Sequence, residues 1–140
     1  MLARYQIYRG PPPPPEPLPD GIRQDTRWRT KHPLRPTEEL AKVYLAAPSD
    51  DAWQRYRDAY MALIEERFRE NRKHFDQLAD LARENDVFIG CSCPTIANPK
   101  IDHCHTYLAL EFMRSKYPKL RIKMPNMQTG ARKQRPALKS

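Results

Sequence analysis

No stretch of this chain approaches the roughly 18 consecutive apolar residues that a membrane-crossing helix needs, so no bilayer-spanning helix is predicted. No apolar segment follows the opening MLARYQIYRG either, and a cleaved secretory leader is not expected. Cysteine is scarce. Three are present, an odd number for a disulfide framework, and Cys91 and Cys93 stand too close in sequence to bridge readily. Reduced thiols in a cytoplasmic setting are the simpler expectation. Acidic charge is also in deficit, with 17 Asp and Glu against 25 Lys and Arg for a formal net charge of +8.

The excess charge has a location. Residues 1–36 carry seven basic and three acidic side chains, and residues 126–140 carry Arg132, Lys133, Arg135 and Lys139 with no acid. The stretch 37–125 holds fourteen of each sign and is neutral. Cationic flanks on a neutral centre suit arms that reach for a polyanion, and nucleic acid or nucleotide is the expected partner. Solvated tails with no partner would carry the same composition.

Length and composition fit a single domain with a modest core. Residues 1–36 divide into a short strand over 3–9, the proline-rich run GPPPPPEPLPDG and a basic loop. Proline fixes φ and lacks an N–H, so that run predicts polyproline II, a stiff connector or a ligand for a partner's proline-binding groove. In the basic loop, Arg27, Trp28, Arg29 and Lys31 group guanidinium and ammonium charge around an indole, a surface suited to phosphate contact and base stacking. Trp28 packed at the core edge, with the arginines in water, is the alternative.

The α/β core is expected over 37–125. Thr37 caps a first helix that Pro48 stops, and Ser49 opens a longer one. Trp53, Tyr56, Tyr60, Leu63, Ile64 and Phe68 recur at helical spacing and mark one buried stripe. The pattern falters at RENRKH and resumes with Phe75, Leu78, Leu81 and Ala82, predicting a second helix, or a kink, ending near Asn85. VFIGCSC then reads as a strand buried on both faces, PTIANPKID as a loop, Asp102 as the cap of the helix HCHTYLALEFMRSKY, and LRIKM as a further strand. Strand, helix and strand over 87–124 form a βαβ unit in a small, largely parallel sheet. Residues 126–140 have the composition of a disordered basic tail.

All three cysteines and two of the four histidines fall between Val87 and Phe112. Cys91 and Cys93 are two apart on the predicted strand and share a face at its carboxyl end, where open α/β sheets form ligand crevices. Cys104 and His105 open the next helix. Three chemistries fit. Cys91, Cys93 and Cys104, with His105 or His103, supply a donor set for tetrahedral zinc. A thiolate at a helix start beside an imidazole instead suits covalent or acid–base work, with Cys104 and His105 as candidate catalytic residues. Small thiols filling a tight strand–helix contact are the third.

CSC at Cys91–Cys93, followed by the pair Cys104–His105 opening an apolar helix, resembles the domain-of-unknown-function 488 family and related small phage and bacterial proteins with a CxC…CH arrangement. The segment FDQLADLAREND before the strand is similar too, and Arg27, Trp28 and Arg29 loosely resemble an N-terminal tryptophan–arginine motif of that family. The resemblance covers about residues 74–115 plus that upstream piece. It implies a small α/β fold, and it favours His105 as the functional residue, because some relatives keep the histidine without the cysteines. Two departures stand out. Thr106 follows the cysteine–histidine pair where the family often has arginine, and the loop from Pro94 to Asp102 is longer.

Three functions are therefore expected of this chain: action on a nucleotide or nucleic acid at the Cys/His site, nucleic-acid binding by a non-catalytic module with structural zinc, or an adaptor role through the proline arm.

Overall fold

The computed structural model describes residues 1–8 and 16–125. Seven elements follow in order: β1 (Leu2–Gln6), β2 (Ile22–Asp25), α1 (Glu38–Ala46), α2 (Asp50–Glu70), α3 (Arg72–Glu84), β3 (Val87–Cys91) and α4 (His105–Lys116). The strands form one parallel sheet in the order β1-β3-β2. The fold class is the α/β arrangement expected from the sequence.

β3 is central, which explains its run of apolar residues. Val87 and Ile89 are fully buried, whereas Phe88 is only half-buried. Register places Ile89 opposite Arg4 of β1 and Gln24 of β2, so the carboxyl ends of all three strands lie together. β1 ends earlier than predicted, although Ile7 N–H still donates to Cys91 C=O at 2.8 Å.

Helix boundaries follow their local chemistry. The Thr37 and Ser49 hydroxyls accept from the N–H groups of Leu40 and Ala52, relieving donors that the first helical turn leaves unpaired. The α2 stripe is buried at Trp53, Tyr56, Tyr60 and Ile64. The faltering pattern is a true break, with Asn71 ending α2 and opening α3. α4 is buried on most sides, packing on β1 and β3 with α2 laid against it.

Four expectations need correction. β3 stops at Cys91, so Cys93 lies in the loop after it and does not share a strand face with Cys91. The basic loop contains a strand, β2, which leaves no periodic signal because its four residues IRQD include an exposed arginine at a sheet edge. LRIKM does not form a strand. It makes one parallel bridge, Ile122 to Leu2, so the chain leaving α4 crosses over β1 to the far edge of the sheet and does not pair with β3. Asp102 does not cap α4. A turn closed by His103 N–H and Lys100 C=O delays the helix, and Cys104 takes the N-cap position without a side-chain cap bond. The proline run falls partly, and the basic tail wholly, outside the described residues.

Candidate functional site

The carboxyl end of β3, the loop after it and the start of α4 converge as expected for an open parallel sheet. Two side chains of β1 hold the turn in place. Arg4 donates through Nη2 to Cys93 C=O at 2.6 Å and through Nε to Thr106 Oγ1 at 2.9 Å. Gln6 Nε2 donates to the carbonyls of Ser92 and Pro94. Arg4 thus brings a guanidinium to Thr106, and both of its contacts are internal. The longer loop is folded on buried Asn98, whose Nδ2 donates to His103 C=O at 2.6 Å and to Cys93 Sγ at 3.3 Å. Arg4, Gln6 and Asn98 carried no signal in the sequence, since each acts on backbone far along the chain or across a loop.

The three cysteines are free, and their sulfurs all lie within 4.8 Å of one another. Cys104 is buried, and Cys91 and Cys93 are partly accessible. This is a cluster that could hold a metal ion. Among the described residues the mutually close group contains no imidazole nitrogen.

His105 is buried beside the cluster. Its Nε2 lies 2.9 Å from Thr26 Oγ1, and Thr26 in turn donates to Gly90 C=O at 3.0 Å. A hydroxyl has one proton, so with that proton on Gly90 the Thr26 oxygen accepts from Nε2–H. Nδ1 is left for the sulfurs. His103 is placed differently. Its ring stacks on Trp53 at 4.6 Å and 12°, and its Nδ1 is 3.2 Å from Tyr44 Oη.

Ionisation follows from this packing. The Cys91 and Cys93 thiols, then His105, hold Cys104 well below the ordinary thiol range against the opposing effect of burial. The same contact with Cys104 pushes Cys91 up, and raises Cys93 to about 12. Burial alone would lower His105, but the Cys104 and Cys91 sulfurs outweigh it and raise the imidazole to about 10. These groups titrate together as one set, in which the proton is drawn from the Cys104 thiol towards the His105 imidazole.

A pocket of about 220 Å³ opens over this floor. Cys91, Cys93, Cys104 and His105 line it together with Arg27, Trp28 and Arg29, so the two sequence-predicted groups meet in one cavity. Lys31 lies outside it, in a shallow depression with His32 and His74. Arg27 is committed to Asp25, with Nη2 2.7 Å from Oδ2 and Nε 3.0 Å from Oδ1, so its charge is already matched. Trp28 is half-buried and lies outside the core cluster. The Arg29 guanidinium sits 5.1 Å from its ring centroid and Lys42 Nζ 5.7 Å. Lys42, Tyr44 and Tyr56 join the lining from α1 and α2. Lys42 was not legible as a site residue, because on its own helix it reads as an ordinary exposed lysine pairing with Glu38.

Fold and site together define a small parallel α/β protein with a thiol–imidazole centre at the strand ends. The chain belongs to the DUF488 family: the model of its active DUF488-N3 subclade matches residues 16–117, well over half the sequence and including Arg27–Arg29. No curated protein and no solved structure matches the chain. No helix among the described residues is long and apolar enough to cross a membrane.

Proposed function

We propose that this protein binds and acts on a single nucleotide unit, free or at an unpaired position of a nucleic acid. The carrying observation is that Trp28, Arg29 and Lys42 line the same pocket as Cys91, Cys93, Cys104 and His105. The indole, over whose ring Arg29 and Lys42 now lie, is the stacking surface for a base, and Arg29 is the phosphate contact, Lys42 being paired with Glu38. A cavity of about 220 Å³ suits one base with part of its sugar and is too small for a duplex. His105 serves as the acid through Nδ1, because Nε2 is held by Thr26 and the ring is raised to about 10.

The test is a titration of nucleoside monophosphates and a short single-stranded oligonucleotide, followed by calorimetry, on the full chain and on Trp28→Ala. Loss of a stacking partner costs about 1–3 kcal/mol per base, so Trp28→Ala should weaken binding by roughly 5- to 160-fold. Equal affinity for the two proteins, or no binding by either, would remove this reading.

A second reading rests on the three close sulfurs: the cluster holds zinc. A zinc that is purely structural would leave the pocket a non-catalytic binding module. Elemental analysis of untagged protein should find about one zinc per chain, and chelation should unfold the domain if the metal is structural.

A further inference from the structure

We propose that a metal ion held by Cys91, Cys93 and Cys104 keeps its fourth coordination position open to the pocket, as an exchangeable site for a neutral ring-nitrogen ligand. This rests on the zinc reading above and adds what the ion would do.

The donor set stops at three. With Zn–S bonds of about 2.3 Å, tetrahedral geometry separates sulfurs by about 3.8 Å, within reach of a group already mutually inside 4.8 Å. The mutually close group contains no nitrogen and no carboxylate oxygen. His105 Nε2 bonds Thr26 and its ring, although it touches Cys91 and Cys104, lies outside the mutually close group, while His103 is stacked on Trp53 and bonded to Tyr44. Asp25, the nearest acid on β2, is occupied by Arg27. Yet all three cysteines reach the pocket, so the empty side of the ion faces the cavity and not the core. Closed four-ligand zinc is structural, whereas three protein ligands with an exchangeable fourth mark a working centre.

Charge selects the ligand. A divalent ion with three thiolates carries a net charge of −1. An anionic fourth ligand would raise that to −2 beside the buried Cys104, and burying unpaired charge is costly. A neutral donor adds no charge. The ring nitrogen of a base stacked near Trp28 is such a donor, and it shares the chemistry of imidazole.

Cobalt(II) substitution tests this on the full chain, using imidazole as the probe. The wild type should bind about one cobalt per chain with visible ligand-field bands and sulfur charge-transfer absorption. Added imidazole should shift the visible bands saturably while leaving the sulfur absorption in place. His105→Gln should retain the bands and the imidazole response, whereas Cys93→Ser should lose most of both, with circular dichroism verifying that each variant folds. Bands that ignore imidazole at saturation, or that vanish in His105→Gln, would show a closed site and overturn the proposal. No cobalt bound at all would remove the metal reading beneath it, while nucleotide binding stays separately measurable.

Discussion

His32 shows how completely two hydrogen bonds can assign a side chain its ionisation state. Its Nε2 lies 2.7 Å from Gln24 Oε1, an acceptor, so Nε2 carries the proton. Its Nδ1 accepts from Leu34 N–H at 3.1 Å, so that nitrogen must stay bare. Burial and the neighbouring His105 and Arg35 charges bring the imidazole down from 6.5 to about 4. Between those values the unfolded chain binds a proton that the folded chain refuses, so stability falls as pH drops from 6.5 towards 4 and is fully present above 6.5. The loss is on the order of 2 kcal/mol, below the full value of the shift because the ring remains partly exposed. Urea midpoints at pH 7 and pH 4.5 should separate much more in the wild type than in His32→Asn, which does not titrate. Equal separations would show that other groups carry the acid sensitivity.

Thr26 is the second residue whose chemistry outweighs its size. It is fully buried, and its one hydroxyl ties His105 to the backbone of β3. Thr26→Val keeps the shape and removes the acceptor for Nε2–H. A buried donor left unpaired costs about 1–3 kcal/mol, so a fall of that order in unfolding free energy is expected. Calorimetric or denaturant unfolding decides it, and a neutral outcome would mean that His105 finds another partner.

At the scale of elements, β2 is the piece that brings Arg27–Arg29 to the cysteines, and Gly21 makes its entry possible. Gly21 has φ +141, and a Cβ there would lie 2.5 Å from Asp86 C=O and 2.9 Å from the Phe88 ring. That same carbonyl accepts from Ile22 N–H at 2.9 Å, the first bond of β2 to the chain entering β3. Gly21→Ala therefore combines backbone strain with a clash against backbone, and should cost about 2–3 kcal/mol. Thermal unfolding measures it, and a change below the scatter of repeated scans would contradict the geometry.

The same elements show what a sequence can and cannot reveal. The helices were legible because Thr37 and Ser49 are local signals and the Trp53–Ile64 stripe repeats at helical spacing. β3 was legible because a central strand is apolar throughout. β2 was not, since an edge strand of four residues with polar side chains has the composition of a loop. LRIKM showed the opposite failure, strand-like residues whose only pairing is the Ile122 bridge. That the three cysteines come together was legible from their places at a strand end and a helix start. The supports around them were not: Thr26 beneath His105, Trp53 against His103 and Arg4 on Cys93 C=O are each made by residues far apart in the chain.

For the whole molecule, the decisive feature is the separation of charge from site. The stretch 37–125 that supplies the helices and cysteines is neutral, and the surplus sits in residues 1–36 and 126–140. Arg27 in the first flank is matched by Asp25, so the pocket itself offers few free cations. Binding of a single nucleotide should then depend weakly on salt. Binding of a long single strand should depend steeply on it, because each engaged Lys or Arg releases condensed counterions from the strand. Removing residues 126–140 takes away Arg132, Lys133, Arg135 and Lys139. At about 0.7 counterions per phosphate contact on a single strand, the log–log salt slope should fall by up to about 3. On the proposed reading, affinity for a mononucleotide should stay unchanged. Filter binding across a salt series, with calorimetry on the mononucleotide, separates the two terms. A truncated chain that keeps its full slope would place the polyanion contacts in the N-terminal flank. A loss of mononucleotide binding would mean that the tail helps build the pocket and that arms and site are one surface.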